Sequence, residues 1–288
     1  GLGVNVIQEA GHFTDRRTVM AGEHEIRARR FVIATGSGPL VPPIPGLDKV
    51  DYLTNETLFD LTKLPKHLII VGGGPIGVEM AQAFRRLGSE VTVLEAFKAL
   101  GKDDPELAER VLESVRADGV VIREGTKVTK VAKFGRSGVR VTVQTDEGEE
   151  TLDGSHLLVA VGRKANVDGL GLDEAGIVHT PRGITVDAKL RTTNRRVYAA
   201  GDITGGFQFT HWAGYHAGLV VRSILFRFGG KVNNDLIPWA TYTDPELAHV
   251  GLTEEQARER HGKILVLRWP YAENDRAQAE RAPTGTVK

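Results

Sequence analysis

Two hydrophobic periods alternate along this chain, and the switch between them marks out its organisation. Leu68-Ile69-Ile70-Val71 is a continuous apolar run, the pattern of a strand buried on both faces. Gly72-Gly73-Gly74-Pro75 interrupts it. From Ile76 to Leu87 the apolar residues Ile76, Met80, Ala81, Ala83, Phe84 and Leu87 fall at helical spacing, and Gly88 supplies the stop. Val91–Leu94 predicts a second buried strand ending at Glu95. Asp103 and Asp104 offer a cap and Pro105 a first turn to the next helix, which carries Leu107, Ala108, Val111, Leu112 and Val115 on one face. The period then shortens to two. Thr126–Ala132, Val139–Gln144 and Glu149–Leu152, separated by glycine-bearing turns, read as a three-stranded antiparallel meander, and His156–Val161 as a strand running into Gly162-Arg163.

The amino-terminal residues repeat the end of this unit. Val4–Phe13, Arg17–Ala21 and His24–Arg29 predict another meander, and Phe31–Ala34 a strand entering Thr35-Gly36. In the second copy a strand, glycine-rich turn, helix, strand and helix precede the meander, whereas the first copy lacks them. By those dimensions at least about 60 residues of a first nucleotide-binding unit are expected before Gly1. Val186–Leu190 and Val197–Ala200 read as short strands, His211–Phe228 as a long helix, and a new pattern starts near Asn233 that looks unfinished at Lys288.

Composition narrows the function classes. The 288 residues carry 37 Lys plus Arg against 37 Asp plus Glu, so no net charge draws the chain to nucleic acid or anionic lipid. The basic strings Arg27-Ala28-Arg29-Arg30 and Arg195-Arg196 read as solvated strand ends. No apolar run approaches the roughly 20 residues of a membrane span, and the first residues lack a signal-peptide pattern. A cytoplasmic protein is expected. There is no cysteine, hence no disulfide or thiolate site in this chain. His216, His249 and His261 show no metal-ligand spacing, and no metal is expected. Trp212, Trp239 and Trp269 read as core or interface anchors.

Chemistry concentrates in a few strings. Gly72-x-Gly74-x-x-Gly77 lies between a strand and a helix, with Glu95 closing the next strand. The first glycine permits a tight turn, the second lets backbone approach a pyrophosphate, and the third lets helix pack on strand. The helix start adds unpaired N–H groups and a positive dipole end. Glu95 can accept hydrogen bonds from a ribose and repel a 2′-phosphate, which points to NAD rather than NADP, although Lys98 follows closely. A second string, Thr192 to Asp202, ends a strand in Gly201-Asp202, placing a carboxylate where it can cap a turn or accept a sugar-type hydroxyl.

Ala34-Thr35-Gly36, Gly72 to Glu79, Gly162-Arg163-Lys164-Ala165-Asn166 and Tyr198-Ala199-Ala200-Gly201-Asp202 occur in an order that resembles the pyridine nucleotide-disulfide oxidoreductases. The likeness continues through Tyr242–Glu246, Val250–Thr253 and Glu273–Ala277, closest to the dihydrolipoamide dehydrogenase and mercuric reductase branch. It implies an α/β fold of three-layer, Rossmann-like FAD- and NAD(P)-binding domains, each a parallel sheet with an antiparallel meander, plus a partial α+β dimerisation domain. The stretches would be 1–62 (FAD), 63–165 (NAD), 166–232 (return to the FAD domain) and 233–288 (interface). The resemblance places Thr35, Gly36, Ser37 and Asp202 beside FAD, with Gln208, Phe209, Thr210 and His211 near its flavin ring. It places Gly72, Gly73, Gly74, Pro75, Ile76, Gly77, Glu79, Glu95, Val128 and Gly162 around NAD, and counts Arg163 among the cofactor-binding residues. Glu79 matches a glutamate near the nicotinamide that pairs with a lysine in the family. His211 could serve the flavin or cap its helix. The implied activity is hydride transfer from NADH to FAD and then to a redox disulfide. The resemblance also implies a homodimer of the complete enzyme, formed from Asn233 onward, with a small-molecule electron acceptor. The family's first Gly-x-Gly-x-x-Gly, its cysteine pair and its His-Glu pair have no counterpart among these residues. An NADH oxidase or transhydrogenase, or a non-catalytic NAD-binding module, are the rival readings.

Overall fold

The computed structural model describes residues 3–288. They form two compact units, one of Pro39–Gly162 with Asp235–Lys288 and the other of Gly1–Gly38 with Arg163–Asn234.

The first of these is built on a four-stranded parallel sheet in the order His156–Val159, His67–Val71, Glu90–Leu94, Val121–Arg123. Its register sets Leu158, Ile70, Val93 and Ile122 in one row. Helix α1 (Pro75–Arg86) and helix α2 (Pro105–Ala117) follow the strands, and the Asp104 side chain caps α2 by accepting from Glu106 N–H at 3.2 Å. The continuous apolar run of the central strand divides between two layers. Leu68 and Ile70 pack with Val78, Ala81, Val111, Leu112 and Val115 of the helices. Ile69 and Val71 pack instead with Val131, Val139, Val141 and Val143 of the meander Lys127–Phe134, Gly138–Thr145, Gly148–Gly154. Each fully buried Leu or Ile contributes about 1.5–3 kcal/mol on leaving water, which ties the register of the sheet to both layers.

Residues 39–62, expected with the first stretch, belong to this unit. Pro45 C=O accepts from Val131 N–H at 2.9 Å, and Leu47 is buried in the meander core. Gly46 has φ +84°, and a Cβ there would lie 2.1 Å from the Val131 oxygen, so only glycine lets this connection close on the sheet. The carboxy-terminal part adds the hairpin Pro238–Thr241 and Leu247–Val250 and a helix, Glu254–His261, opened by a Thr253–Gln256 capping box. Trp239 stacks on His249 and donates to Asp103 at 2.8 Å. Trp269 is 56% exposed, so of its two readings the core one does not apply.

In the other unit the amino-terminal meander is Gly11–Phe13, Thr18–Ala21, His24–Arg27; its first strand starts only at Gly11, and residues 4–10 are exposed without regular structure. Strands Phe31–Ile33 and Val197–Ala199 pair in parallel. Helix α3 (Thr210–Phe226) packs beside them, with Trp212, His216, Leu219 and Val220 buried. The strand expected at Val186–Leu190 is a turn. Asp187 Oδ1 accepts from the N–H groups of Lys189 and Arg191, and Leu190 takes φ +63°. A side-chain acceptor two residues upstream competes with a ladder for those donors and reverses the chain. Alternation alone does not reveal that. No helix of the described residues is long and apolar enough to cross a membrane, and they contain no grouped metal ligands.

Candidate functional site

The glycine-rich turn joins a buried strand to α1, and each glycine meets a different constraint. Gly72 has φ +110°, and a Cβ there would come 2.4 Å from Ala160 C=O. A Cβ on Gly77 would come 2.0 Å from Gly72 C=O, so this glycine is what lets α1 lie on the strand. Gly74, the N-cap of α1, faces open space: nothing lies within 4 Å of a Cβ built on it. A turn that is tight at its first and third glycines and open at its second fits a pyrophosphate approaching the helix start. Pro75 and Ile76 continue the turn, half-buried.

Glu95 ends the neighbouring strand and reaches back to this turn. Its Oε2 accepts from Gly73 N–H at 2.7 Å and its Oε1 from Phe97 N–H at 2.8 Å, which holds the carboxylate at the rim. Lys98 does not offer a ready cation to a 2′-phosphate, because its ammonium lies 3.3 Å from Glu124, and Glu124 Oε1 also accepts from Ala99 N–H at 2.8 Å. Two carboxylates thus border the rim. Glu124 was not legible as a site residue, since 26 positions separate it from Lys98.

Glu79, on α1, is half-buried, and its Oε1 accepts from Tyr242 N–H at 2.9 Å. Burial pushes its carboxyl above the usual range, with the Tyr242 N–H opposing. Gln82, one turn on, pairs with both the N–H and the C=O of Asp244. Together these side chains carry the extended segment 242–244 along α1. Val128 is half-buried against the meander core, and Gly162 has φ +128° with open space on its Cβ side.

The other unit gathers the remaining strings. Asn166 Nδ2 donates to Thr35 C=O at 2.8 Å, Thr35 Oγ1 donates to Asn166 C=O, and Asn166 N–H donates to Gly36 C=O. Ser37 Oγ donates to Asp202 Oδ2 at 2.6 Å. Arg163, expected as a cofactor-binding residue, donates to Ser37 Oγ and C=O at 2.7 and 2.6 Å. Its Nε is 3.7 Å from Asp202. Among the described residues Asp202 Oδ1 accepts no hydrogen bond, and Gly36, at φ +66°, has open space beside it. The cluster therefore presents a fixed carboxylate with a spare acceptor, which fits a polyhydroxylated ligand.

Behind it His216 is buried on α3, and its Nδ1 accepts from Gly201 N–H at 3.2 Å. That bond makes the imidazole neutral with its proton on Nε2, and burial holds its pKa below the ordinary value. In the sequence His216 stood out only against a metal-ligand pattern. Gln208 and Phe209 are half-buried, and Thr210 and His211 are exposed at the start of α3. Phe209 occupies the N-cap and stacks on His211 at 5.3 Å, so His211 is not the capping residue.

The family model described as pyridine nucleotide-disulphide oxidoreductase matches residues 2–217, and the dimerisation domain of the same name matches residues 237–288. The chain belongs to the pyridine nucleotide-disulphide oxidoreductases. It is 38% identical to a mercuric reductase of Bacillus cereus over 99% of its own length and 46% of the relative's. It is 33% identical to a dihydrolipoyl dehydrogenase of Bacillus subtilis over 97% of itself and 61% of that protein. Among solved structures, the HOCl-induced flavoprotein disulfide reductase RclA from Escherichia coli superposes with a TM-score of 0.88 at 33% identity, covering 99% of this chain and 66% of that one. LpdA from Mycobacterium tuberculosis gives 0.89 at 30% identity, covering 99% and 64%. The chain spans about half the length of the mercuric reductases it matches. The α/β fold with nucleotide-binding domains is thus the family's own.

Proposed function

We propose that this chain is the NAD-binding region, and part of the FAD-binding region, of a flavoprotein oxidoreductase of the dihydrolipoamide dehydrogenase or mercuric reductase kind. In the complete enzyme the bound nicotinamide supplies hydride and the bound flavin accepts it, passing electrons to a redox disulfide and a small-molecule acceptor. The observation that carries the reading is the turn at Gly72–Gly77, closed where strand and helix must meet and open at Gly74. The α1 amides there would hold the pyrophosphate, and Glu95 would trade its bond to Phe97 N–H for ribose hydroxyls. Glu95 and Glu124 together disfavour a 2′-phosphate, which supports NAD over NADP. Glu79 would stand at the nicotinamide end of α1, its pKa raised by burial against the opposing Tyr242 N–H. Thr35, Gly36, Ser37 and Asp202 would contact FAD, with Arg163 steadying Ser37 and Asp202. We place Gln208, Phe209, Thr210 and His211 towards the flavin ring, and the 237–288 segment in the contact of a cytoplasmic homodimer.

Calorimetric titration with NADH and NADPH tests the reading. Saturable NADH binding, at least about tenfold tighter than NADPH and weakened in Glu95→Ala, is expected. No saturable NADH binding would refute the dinucleotide assignment, and equal affinities would refute the choice of NAD.

A further inference from the structure

The cofactor chemistry uses none of the arginines gathered at one end of the Gly1–Gly38 and Arg163–Asn234 unit. Arg30 and Arg196 immediately precede the paired strands Phe31–Ile33 and Val197–Ala199, whereas Ser37 and Asp202 follow their far ends. Three residues of strand span about 10 Å, so the arginines and the Ser37–Asp202 cluster lie at opposite ends of the same two strands.

Arg16, Arg17, Thr193, Asn194, Arg195 and Arg196 line a cavity of about 380 Å³ there. Its floor is rigidly built. Asn194 is 4% exposed; its Nδ2 donates to the carbonyls of Arg16 and Ala175 at 3.0 and 2.9 Å, and its Oδ1 accepts from Arg196 N–H at 3.1 Å. Thr193 Oγ1 donates to Gly176 C=O at 2.8 Å and accepts from Val178 N–H at 3.0 Å. Both arginine pairs are thereby fixed to one scaffold by bonds made through their backbones, which leaves the guanidinium groups uncommitted. Among the described residues those four side chains make no hydrogen bond and no ion pair, while Arg86, Arg123, Arg140 and Arg268 all sit on carboxylates. Among the described residues the adjacent Asp15 forms no ion pair with them, its Oδ1 accepting instead from Arg17 N–H at 2.6 Å.

Four guanidinium groups around one cavity repel one another unless an anion joins them, in a chain of zero net charge. Guanidinium forks match phosphate oxygens two at a time, and a single carboxylate carries too little charge for four of them. We propose that this cavity binds a small soluble oligophosphate, at a site separate from either dinucleotide. The cavity's volume suits a compact ligand of that size. The chain's neutrality gives no continuing track for a nucleic acid.

Calorimetric titration with inorganic pyrophosphate tests the proposal. One saturable site is expected, with binding weaker by about a hundredfold in Arg17→Ala/Arg195→Ala, about tenfold for each guanidinium removed. Arg140→Ala, which removes an arginine already paired with Asp153, should bind as the unsubstituted chain does. Gly74→Ala controls for the dinucleotide turn, since pyrophosphate held there would be lost in that variant and kept in the arginine double variant. Should the double variant not fold, judged by circular dichroism, Arg195→Gln alone decides, because Arg195 is exposed. The proposal is overturned by absence of a saturable site, by equal affinity for single inorganic phosphate, by undiminished binding in the arginine variants, or by binding only to anionic lipid vesicles.

Discussion

Replacing Gly77 by alanine drives a methyl group to within 2.0 Å of the Gly72 carbonyl oxygen and 3.5 Å of Ile70 Cγ2. Carbon and oxygen do not approach closer than about 3 Å, so the first turn of α1 must lift from the strand by about 1 Å, against a core packed at crystal-like density. Overpacking of this kind costs about 1–3 kcal/mol. In a chain of this size each 1 kcal/mol lowers the melting temperature by roughly 2–4 °C, so a fall of about 5 °C is expected. Gly74→Ala should behave in the opposite way. Its Cβ meets nothing within 4 Å and its backbone lies at φ −75°, so the melting temperature should move by no more than about 2 °C. Binding, however, should suffer, because the methyl group occupies the open face of the turn and blocks access to the α1 amides. One such charge-assisted hydrogen bond is worth about 1.5–3 kcal/mol, or at least about tenfold in NADH affinity. Scanning calorimetry and NADH titration of both variants give the answer. An unshifted melting temperature in Gly77→Ala, or unchanged NADH affinity in Gly74→Ala, would refute the division of labour drawn between the two glycines.

Three further outcomes follow from the ionisable groups. Glu79 has its pKa raised by burial, so the folded state holds this proton more firmly than the unfolded one; that advantage exists at low pH and is lost as pH rises through the folded pKa. Glu79→Gln, which still offers Oε1 to Tyr242 N–H, should match the parent's melting temperature in acid and exceed it at alkaline pH. His216 has a lowered pKa, so the unfolded state takes up its proton first, and stability should decline as pH falls through the ordinary imidazole value of 6.5. His216→Asn should flatten that limb of a pH–melting curve. Lys288 is 10% exposed and lies 2.8–3.1 Å from Asp104, Glu106 and Glu254. Lys288→Met removes the ion partner of Asp104, while Glu106 and Glu254 keep Arg268 and Arg258, and should cost about 1.5–3 kcal/mol. Arg268 first, then Lys288, holds Glu106 down to about 2, a stabilisation present above its ordinary 4.5 and lost as pH falls towards 2. Acid unfolding followed by circular dichroism should therefore begin at higher pH in the variant.

What the sequence determined by itself was whatever neighbouring residues specify together. The apolar run at Leu68–Val71, the helical spacing of α1, the Asp104–Pro105 start of α2 and the period-two meander are local patterns, and each became the element it predicts. The glycine-rich turn was legible for the same reason, since its glycines, helix start and acid lie within one short crossover. Tertiary structure decided the partners that no local pattern encodes. Arg163 reaches Ser37 across 126 positions and Ser37 reaches Asp202 across 165, joining strings far apart in the chain. Glu124 takes up Lys98, and Asp187 turns an alternating segment back on itself by supplying an acceptor where a strand would need a neighbour. Arg195 and Arg196, which read as a solvated strand end, share a cavity with Arg16 and Arg17 because Asn194 ties in the turn at Arg16. Periodicity records which face of a segment leaves water. Which charge meets which is fixed only when strands from distant parts of the chain come into register.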